Sequence, residues 1–481
     1  MRQAICGFAS PVAFASVARI RAAQGIASLG VQGKDTGMID SASGFPSTTA
    51  VERDARLVST DPHRVSPGEI ALGVVIGRTS EAFDFFVFGI ASVLVFPALV
   101  FPFADALTGT IYSFALFGLA FVARPVGSVV FLEIDRRHGR GVKLTVALFL
   151  LGISTAAIAF LPGYADWGWG SILILALCRI GQGLALGGAW DGLASLLALN
   201  APHDRRGWYA MVPQLGAPFG FMMAAGIFAF FLLNISMEDF IGWGWRYPFF
   251  VAFTINVVAL FARLRLVATE EFQELLERRD LVPVPIAELF QTQGADILIG
   301  AFVPLASFAL FHLVTIFPLS YAGLFTDRTP AAFLELELVG AVVLALTVML
   351  SGVLADRVGR RNLIGTCAVL TGIYALFTPM LLGGDQTGQT IFILVGFGLL
   401  GLSFGQAAGA VASNFSSHHR YTGSALTSDL AWVIGAGFAP LVALGGYTRF
   451  GLWAVAAYLL SGAVCTLGAL AINKRLDFRD T

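Results

Sequence analysis

Twelve long apolar stretches constrain this chain more than any other feature of its sequence. Each can cross a hydrocarbon core of about 30 Å as a helix, which takes roughly 20 residues. We predict helices rather than a membrane barrel, because the apolar runs are continuous and a helix satisfies its own backbone hydrogen bonds. The predicted spans are residues 69–96, 107–132, 142–162, 171–199, 211–233, 245–263, 297–322, 333–355, 362–382, 390–412, 424–446 and 450–472.

The composition agrees with a membrane protein and argues against several soluble classes. Of the 481 residues, 57% are hydrophobic and 13% are charged, against roughly 25% charged in an ordinary soluble domain. The net charge of −1 supplies no basic field for nucleic acid, so the predicted partners are the lipid bilayer and a small-molecule metabolite. The four cysteines lack the spacing of a zinc site or a disulfide framework, and we predict no metal.

The distribution of basic residues predicts the orientation of the chain. Of the 30 Lys and Arg residues, 24 fall in the tails and in the loops on the same side, while Arg246, Arg328 and Arg449 fall on the other side. Basic residues favour the cytoplasmic side of a membrane. We therefore expect a multi-pass protein of the inner (plasma) membrane with both termini cytoplasmic.

The longest loop between spans divides the helices six and six, and it carries the charged amphipathic stretch 270–280. The first 66 residues lack an apolar run and are expected to be disordered. Met38 precedes a more ordinary polar leader, which makes residues 1–37 a candidate over-extended gene start. The predicted organisation is a disordered cytoplasmic tail at 1–66, an N-terminal six-helix bundle at 67–263, a cytoplasmic linker with an amphipathic helix at 264–296, a C-terminal six-helix bundle at 297–473 and a cytoplasmic tail at 474–481.

A weak internal repeat supports this division. The sequence Arg137-His138-Gly139-Arg140 after the second span is echoed by Arg357-Val358-Gly359-Arg360 after the eighth. Duplicated six-helix halves are typical of transporters. We predict an all-α polytopic membrane protein with twelve transmembrane helices in two six-helix bundles.

Three ionisable residues lie within the first span. Arg78, Glu81 and Asp84 recur at intervals of three, which places them on one broad face of a helix. Charged groups in mid-membrane are costly and usually line a cavity or relay protons. The alternative is a local Arg78–Glu81 pair that neutralises itself, in which case Asp84 still needs a partner.

Other ionisable residues lie in the fourth and seventh spans. Arg179 and Asp191 stand roughly 18 Å apart along a helix, which is too far to pair. We expect Arg179 to meet Glu81, Asp84 or an anionic substrate across the bundle. Asp191, nearer the cytoplasmic end, either serves the pathway or is simply solvated. His312 is either a pathway residue that can titrate or a packing residue.

The sequence does not resemble an enzyme. It has no GxxxxGK[ST] loop for ATP, no nucleophile paired with a base and no metal cluster. The GxGxxG match at Gly396–Gly401 lies in a long apolar run with no preceding strand, so we predict that it packs helices. His418 and His419 are expected to face water in a cytoplasmic loop.

Five short motifs stand in a characteristic order along the spans. They are Glu81-Ala82-Phe83-Asp84-Phe85-Phe86, Ala123-Arg124-Pro125-Val126-Gly127, Arg179-Ile180-Gly181-Gln182-Gly183 with Gly187-Gly188, Asp204-Arg205-Arg206-Gly207 with Gln214 and Gly216, and Gly242-Trp243-Gly244-Trp245-Arg246 with Pro248-Phe249. In their order and spacing they resemble the major facilitator superfamily, and within it the metabolite:proton symporter branch, over essentially all of residues 69–475.

The resemblance implies two bundles that rock about a central midplane site and expose it to each side in turn. It implies that Glu81, Asp84 and Arg179 line or neighbour this site, that a carboxylate takes the coupled proton, and that a proton gradient rather than a cofactor supplies energy. We expect a monomer. The resemblance also implies a conformational lock, whose Asp and Arg pair with helix ends of the opposite bundle in one state only. The lock residues are Arg124, Gly139, Arg140, Asp356, Arg357, Gly359, Arg360 and Arg361.

The chain departs from the family pattern at several positions. In the first copy of the lock, Asp135 is displaced by one residue, and the family's Gly, Asp and terminal Lys positions fall on Leu132, Arg136 and Gly141. We therefore expect the first lock to be weakened. Ala189 stands where the fourth helix of the family carries Glu, and Arg78 stands where it carries a small or polar residue. These two departures concern proton coupling rather than transport itself.

The leading functional hypothesis is import of a small polar metabolite, such as an organic acid, by proton symport. The alternatives are an uncoupled facilitator or an exporter of the same fold, and a solute sensor that does not transport. The fifth span reads Ala217-Pro218-Phe219-Gly220-Phe221 rather than the Gly-Pro-x-x-Gly-Gly of drug exporters of the superfamily, which argues against export.

Overall fold

The structure, a computed structural model, describes residues 67–189, 201–202, 205–267 and 282–473. All of them belong to one compact unit, Pro46–Thr481. Asp191, the amphipathic stretch 270–280 and both predicted tails lie outside the described residues. The prediction of an all-helical chain is confirmed, because every element in the described ranges is helical.

Eleven of the described helices are long and apolar enough to cross a membrane. A twelfth, the first, is 28 residues long and less apolar because it carries Arg78, Glu81 and Asp84. In chain order the twelve are α1 Pro67–Leu94, α2 Ala106–His138, α3 Arg140–Ala159, α4 Trp169–Gly188, α5 Arg206–Asn234, α6 Met237–Leu264, α7 Leu305–Phe325, α8 Pro330–Val358, α9 Arg360–Leu382, α10 Gln386–Ser413, α11 417–450 and α12 Trp453–Ile472.

Several of these spans are interrupted by tighter or wider turns. A 3-10 turn, Val212–Leu215, lies in α5, and a wide π turn, Phe240–Gly244, lies in α6. In α7 the break falls at Ile316, between Leu305–Thr315 and Phe317–Phe325. A second π turn, Val433–Gly437, lies in α11. Such breaks are common at functional sites of helical proteins.

Two helix starts come earlier in the chain than predicted. Helix Ile286–Phe302, kinked at Gln293, precedes α7 and begins inside the predicted linker. The first turn of α11 begins at Ser417, before the predicted boundary at 424. His418 and His419 therefore lie in a helix and not in a loop, which corrects the sequence prediction. Both helices begin with polar turns, so the apolar run in each sequence starts several residues after the helix itself.

Glycines allow the backbones of α2 and α4 to touch. A Cβ atom on Gly183 would lie 2.3 Å from the Ala120 carbonyl oxygen, and one on Gly187 would lie 2.3 Å from that of Arg124. Small residues permit such close approach between helices in a membrane. This contact fixes Arg124 and Arg179, which lie on these two helices, relative to each other.

The predicted repeat has a structural counterpart. Gly139 joins α2 to α3 and Gly359 joins α8 to α9, and both have φ 85°, a left-handed conformation that favours glycine. Arg140 and Arg360 follow as the first residues of α3 and α9, and both are buried. We call the end of the molecule where these two turns lie the motif end.

Candidate transport site

A cavity of about 120 Å³ lies between α1–α6, the N-half, and α7–α12, the C-half. The space is sufficient for a molecule of roughly ten non-hydrogen atoms. Seven of its nineteen lining residues are aromatic, and polar groups are contributed by Arg78, Glu81, Arg124, Gln214 and Ser428. The aromatic lining residues are Phe85, Phe86, Phe121, Phe308, Phe311, Phe404 and Trp432.

Two arginines hold Glu81 at the cavity wall. Glu81 Oε2 lies 2.8 Å from Arg78 Nη1, and its Oε1 lies 2.5 Å from Nη2 of Arg263 in α6. The local Arg78–Glu81 pair therefore exists, but Glu81 also contacts a second arginine, Arg263. Arg263, the last residue of the predicted sixth span, is 2% exposed and also donates to the Ala189 carbonyl oxygen. Glu81 thus links α1 to α6.

Asp84 lies deeper in the same helix and is 1% exposed. Its carboxylate accepts hydrogen bonds from Thr155 Oγ1 at 2.5 Å and from Gln182 Nε2 at 3.2 Å. Gln182 Oε1 in turn accepts from Arg179 Nη1 at 3.2 Å. The expected contact of Arg179 with an acidic residue is therefore indirect, because the Gln182 side chain lies between the guanidinium and Asp84.

Arg179 is fully buried and packs against rings. Its guanidinium carbon lies 4.1 Å from the ring centre of Phe88 and 4.9 Å from that of Phe117, within the range of cation–π attraction. Its Nε donates to the Phe117 carbonyl oxygen at 3.2 Å. Its Nη2 has no hydrogen-bond partner among the described residues. One donor of this cation is thus unsatisfied in the interior of the N-half.

His312 in α7 is fully buried behind the aromatic wall of the cavity. Neither ring nitrogen has a hydrogen-bond partner among the described residues, so His312 is not a satisfied packing histidine. Its ring centre lies 5.0 to 6.3 Å from those of five aromatic residues, namely Phe85, Phe117, Phe121, Phe311 and Trp432.

Arg124, which was predicted as a lock residue, lies within α2, and this helix continues through Pro125 to His138. Arg124 therefore lies mid-helix, on the cavity wall, where its Nε is 2.6 Å from Asp429 Oδ1 in α11. Ser128 donates to the other oxygen of Asp429. This cluster joins the N-half to the C-half beside the cavity.

The second copy of the lock contacts the opposite half as the family resemblance implied. Asp356, near the end of α8, accepts from the backbone N–H of Gly207 at 2.6 Å and of Trp208 at 3.1 Å. These amides belong to the first turn of α5, where a carboxylate satisfies donors that the helix leaves unpaired. Gly207 permits the approach, because a Cβ there would lie 2.8 Å from Asp356 Oδ1.

Arg360 and Arg361 of the second lock contact other helices of the C-half. Arg360 donates to Gln406 Oε1 at 3.3 Å, and Gln406 donates to the Gly207 carbonyl oxygen at 3.1 Å, so Arg360 reaches α5 through this amide. Arg361 donates to the Leu470 carbonyl oxygen at 2.7 Å. Arg357 is exposed.

The first copy of the lock has an acidic contact despite its departures from the family pattern. Asp135 is 5% exposed and lies 3.2 Å from Arg140 Nε and 3.3 Å from Lys143 Nζ. Tyr421 in α11 donates to Asp135 at 3.1 Å and accepts from Lys143 at 2.7 Å. Asp135 thus supplies the acidic contact from its displaced position, and the aligned residue Arg136 is exposed. The last turn of α2 directs Asp135 inward, which residue spacing alone does not reveal.

Sequence reasoning missed two intramembrane acids in the C-half. Asp429 is the partner of Arg124, and Glu337 in α8 is fully buried, with neither carboxylate oxygen hydrogen-bonded among the described residues. The rule that flagged Asp84, that an ionisable residue inside a span is functional until shown otherwise, identifies both. The roles assigned to all these site residues stay predictions.

Comparison with known proteins agrees with this architecture. The chain is 36% identical over 417 residues to the inner membrane metabolite transport protein YhjE of Escherichia coli, covering 85% of this chain and 94% of that one. It is 30% identical over 433 residues to the shikimate transporter of the same organism, covering 87% and 97%. A solved D-xylose-proton symporter has a TM-score of 0.62 at 16% identity, covering 83% and 96%, which supports the fold alone.

These relatives and the twelve long helices make the chain a multi-pass membrane transporter and not an enzyme, in contact with the lipid bilayer and a small-molecule substrate. The family model described as Major Facilitator Superfamily matches residues 74–440, more than half of the sequence. The chain belongs to the Major Facilitator Superfamily.

Proposed function

We propose that this transporter imports a small organic acid together with a proton, by alternating access and without a bound cofactor. The single observation that carries the proposal is Asp84, a buried carboxylate on α1, the helix that also carries Glu81 and Phe85 of the cavity wall. Its partners are a hydroxyl and an amide, and no cationic nitrogen lies within 4.0 Å of it among the described residues. A proton can therefore act as its counter-charge, since a hydroxyl can accept from a protonated carboxyl group as readily as it donates to a carboxylate.

Glu81 suits a different role in this proposal. It is held by Arg78 and Arg263 at the cavity wall, so its charge is already balanced by two guanidinium groups. An anionic substrate arriving at Arg78 competes with Glu81 for the same donors. This competition couples the substrate to α1, the helix that also carries Asp84.

The proposal that the substrate is an organic acid rests on the residues that line the cavity. Arg78 and Arg124 face the cavity, and the aromatic wall suits a substrate with an apolar or ring-shaped body. Among the relatives, the E. coli protein at 30% identity is named for shikimate, and a Salmonella typhimurium protein at 27% identity, covering 76% of this chain and 75% of that one, is named for proline and betaine. We favour the acid because of the two arginines.

Contacts between the two halves form in one state of the transporter and must break in the other. Asp356 caps α5, Tyr421 joins the Asp135 cluster, and Arg124 pairs with Asp429, all between the N-half and the C-half. Opening the motif end requires these contacts to break. We place the protein in the inner membrane with both termini and the motif end cytoplasmic, on the basis of the basic residues. We also propose a monomer, since one chain forms the whole cavity.

The test is uptake into proteoliposomes under an imposed pH gradient, acidic outside, with radiolabelled shikimate, benzoate, malate, proline and betaine. We expect one acid to accumulate and a protonophore to abolish its accumulation. The surface variant Glu133→Gln serves as a matched control that behaves as wild type. Equilibration that ignores the protonophore would indicate a facilitator, and saturable binding without uptake would indicate a sensor; either result overturns the proposal.

A further inference from the structure

Three potential metal ligands converge at the motif end, and none of them lines the central cavity. Glu288 lies in helix Ile286–Phe302, and His418 and His419 lie in the first turn of α11. Glu288 Oε1 is 3.5 Å from His418 Nε2 and 3.6 Å from His419 Nε2. The ligand atoms of the three residues all lie within 4.8 Å of one another. Two imidazoles thus share a single carboxylate oxygen.

These separations fit a tetrahedral metal ion. With bonds of about 2.0 to 2.1 Å, zinc holds neighbouring ligand atoms about 3.3 Å apart. The two distances from Glu288, 3.5 and 3.6 Å, exceed this value by a few tenths of an ångström. The ligand nitrogens of the two histidines lie within 4.8 Å of each other, so binding requires both imidazoles to turn towards the ion. Two histidines and one glutamate are also a ligand set known for zinc, with a water molecule in the fourth position.

A hydrogen bond with Ser416 prepares His419 to act as a ligand. Its Nδ1 lies 3.0 Å from the hydroxyl oxygen of Ser416, the residue that precedes the helix. If Nδ1 carries the proton and donates to this hydroxyl, the lone pair is left on Nε2, the nitrogen that faces Glu288. Thr292 Oγ1 is 3.4 Å from the same Nε2, and its own proton goes to the Glu288 carbonyl oxygen at 2.8 Å. His419 is also the less exposed of the two imidazoles, at 14% against 52%.

We propose that Glu288, His418 and His419 form a binding site for a divalent cation of the zinc class. Imidazole nitrogens with one carboxylate select zinc and its neighbours over magnesium or calcium, which prefer sites made of oxygen. The ion would join the first described helix after the linker to the first turn of α11. That turn leads directly to Tyr421, the residue that contacts Asp135 across the two halves.

The experiment uses the full-length protein in detergent, freed of any polyhistidine tag and of metal. Zinc chloride is titrated by calorimetry, and cobalt(II) is titrated by visible absorption, which reports tetrahedral coordination. We expect one site per chain with a micromolar or lower Kd. The variants His419→Ala and Glu288→Gln should each weaken binding by at least about tenfold. His138→Ala removes an exposed histidine from the same end and should leave the Kd unchanged.

Two results would overturn the proposal. One is the absence of saturable zinc binding by the wild-type protein, which would make the cluster an ordinary surface ion pair between histidine and glutamate. The other is zinc binding that is equally tight in His419→Ala and Glu288→Gln, which would place the ion elsewhere. Glu288→Gln preserves the shape of the side chain, and gel filtration of each variant separates loss of ligand from loss of fold.

Discussion

Arg124 and Asp429 form an ion pair between the two halves of the transporter, with Arg124 Nε 2.6 Å from Asp429 Oδ1. The aspartate is 3% exposed and the arginine 16%, so the pair is screened from solvent while the guanidinium still faces the cavity. Ser128 donates to the same aspartate and fixes its position. The pair therefore connects the substrate cavity to the contact that must break when the halves rock.

A double-mutant cycle tests this coupling. Arg124→Gln or Asp429→Asn alone leaves one buried charge without its partner, which costs about 3 to 5 kcal/mol of stability. Replacing both removes both charges, so the double variant should be no less stable than the worse single variant. The measurement is the thermal unfolding of detergent-solubilised protein. Additive losses would contradict a direct interaction.

Asp356 is predicted to bias the transporter towards the state with a closed motif end. Asp356→Ala removes the cap on α5, worth about 1 kcal/mol, and should shift the two-state equilibrium roughly fivefold towards opening. Labelling of a cysteine placed at Ala408 in the cavity should then be faster from the motif end.

Asp385→Ala is the matched control for this cap. Asp385 caps α10 by accepting from the Gly388 N–H at 2.8 Å, but both residues lie in the C-half and no contact between the halves is lost. Labelling at position 408 should match the wild type in this variant. Equal acceleration by the two variants would mean that loss of a cap, and not loss of the contact between halves, is responsible.

Asp135 is predicted to matter far more than its neighbour Glu133. Asp135→Asn removes the carboxylate charge that the buried Arg140 and Lys143 contact and should lower the free energy of unfolding by about 3 kcal/mol. Glu133 pairs with two arginines at the surface, and Glu133→Gln should cost under about 1 kcal/mol. Thermal unfolding of both variants checks the difference, and similar unfolding temperatures would argue against the buried cluster.

The contact between α2 and α4 yields a prediction about glycine. A Cβ on Gly187 would lie 2.3 Å from the Arg124 carbonyl oxygen, so Gly187→Ala should force the helices apart at a cost of about 1 to 3 kcal/mol. Gly170→Ala, in the same helix, places its Cβ 3.7 Å from the nearest side chain and should be neutral. The yield of monodisperse protein and its unfolding temperature report the outcome. Equal behaviour of the two variants would contradict the packing.

Most of the fold could be predicted from sequence because each transmembrane helix is a local pattern. The apolar runs located every span, and the repeated Arg-x-Gly-Arg sequences marked the two glycine turns now seen at Gly139 and Gly359. The starts of α11 and of helix Ile286–Phe302 were missed because polar first turns carry no apolar signal.

The site was less predictable because its contacts join residues far apart in the chain. Glu81 was identified, yet its partner Arg263 was not, because the sequence does not show whether an arginine at the end of a span is solvated or buried. The displacement of Asp135 by one residue suggested a weak lock. Its contact with Tyr421 depends on the direction of the Asp135 side chain in the last turn of α2, which the sequence does not show. Gln182 belongs to one of the five motifs, but its position between Asp84 and Arg179 depends on how α1 packs against α4.

Proton movement driven by substrate, compared between the wild type and Asp84→Asn, tests the central claim most directly. Both proteins are reconstituted in liposomes containing a pH-sensitive dye, and the acid identified in the uptake screen is added outside. We predict that the wild type acidifies the liposome interior rapidly and that Asp84→Asn does so at least about tenfold more slowly. The variant should still exchange labelled substrate. Solute entry without proton movement in the wild type, or unchanged acidification in Asp84→Asn, would contradict it.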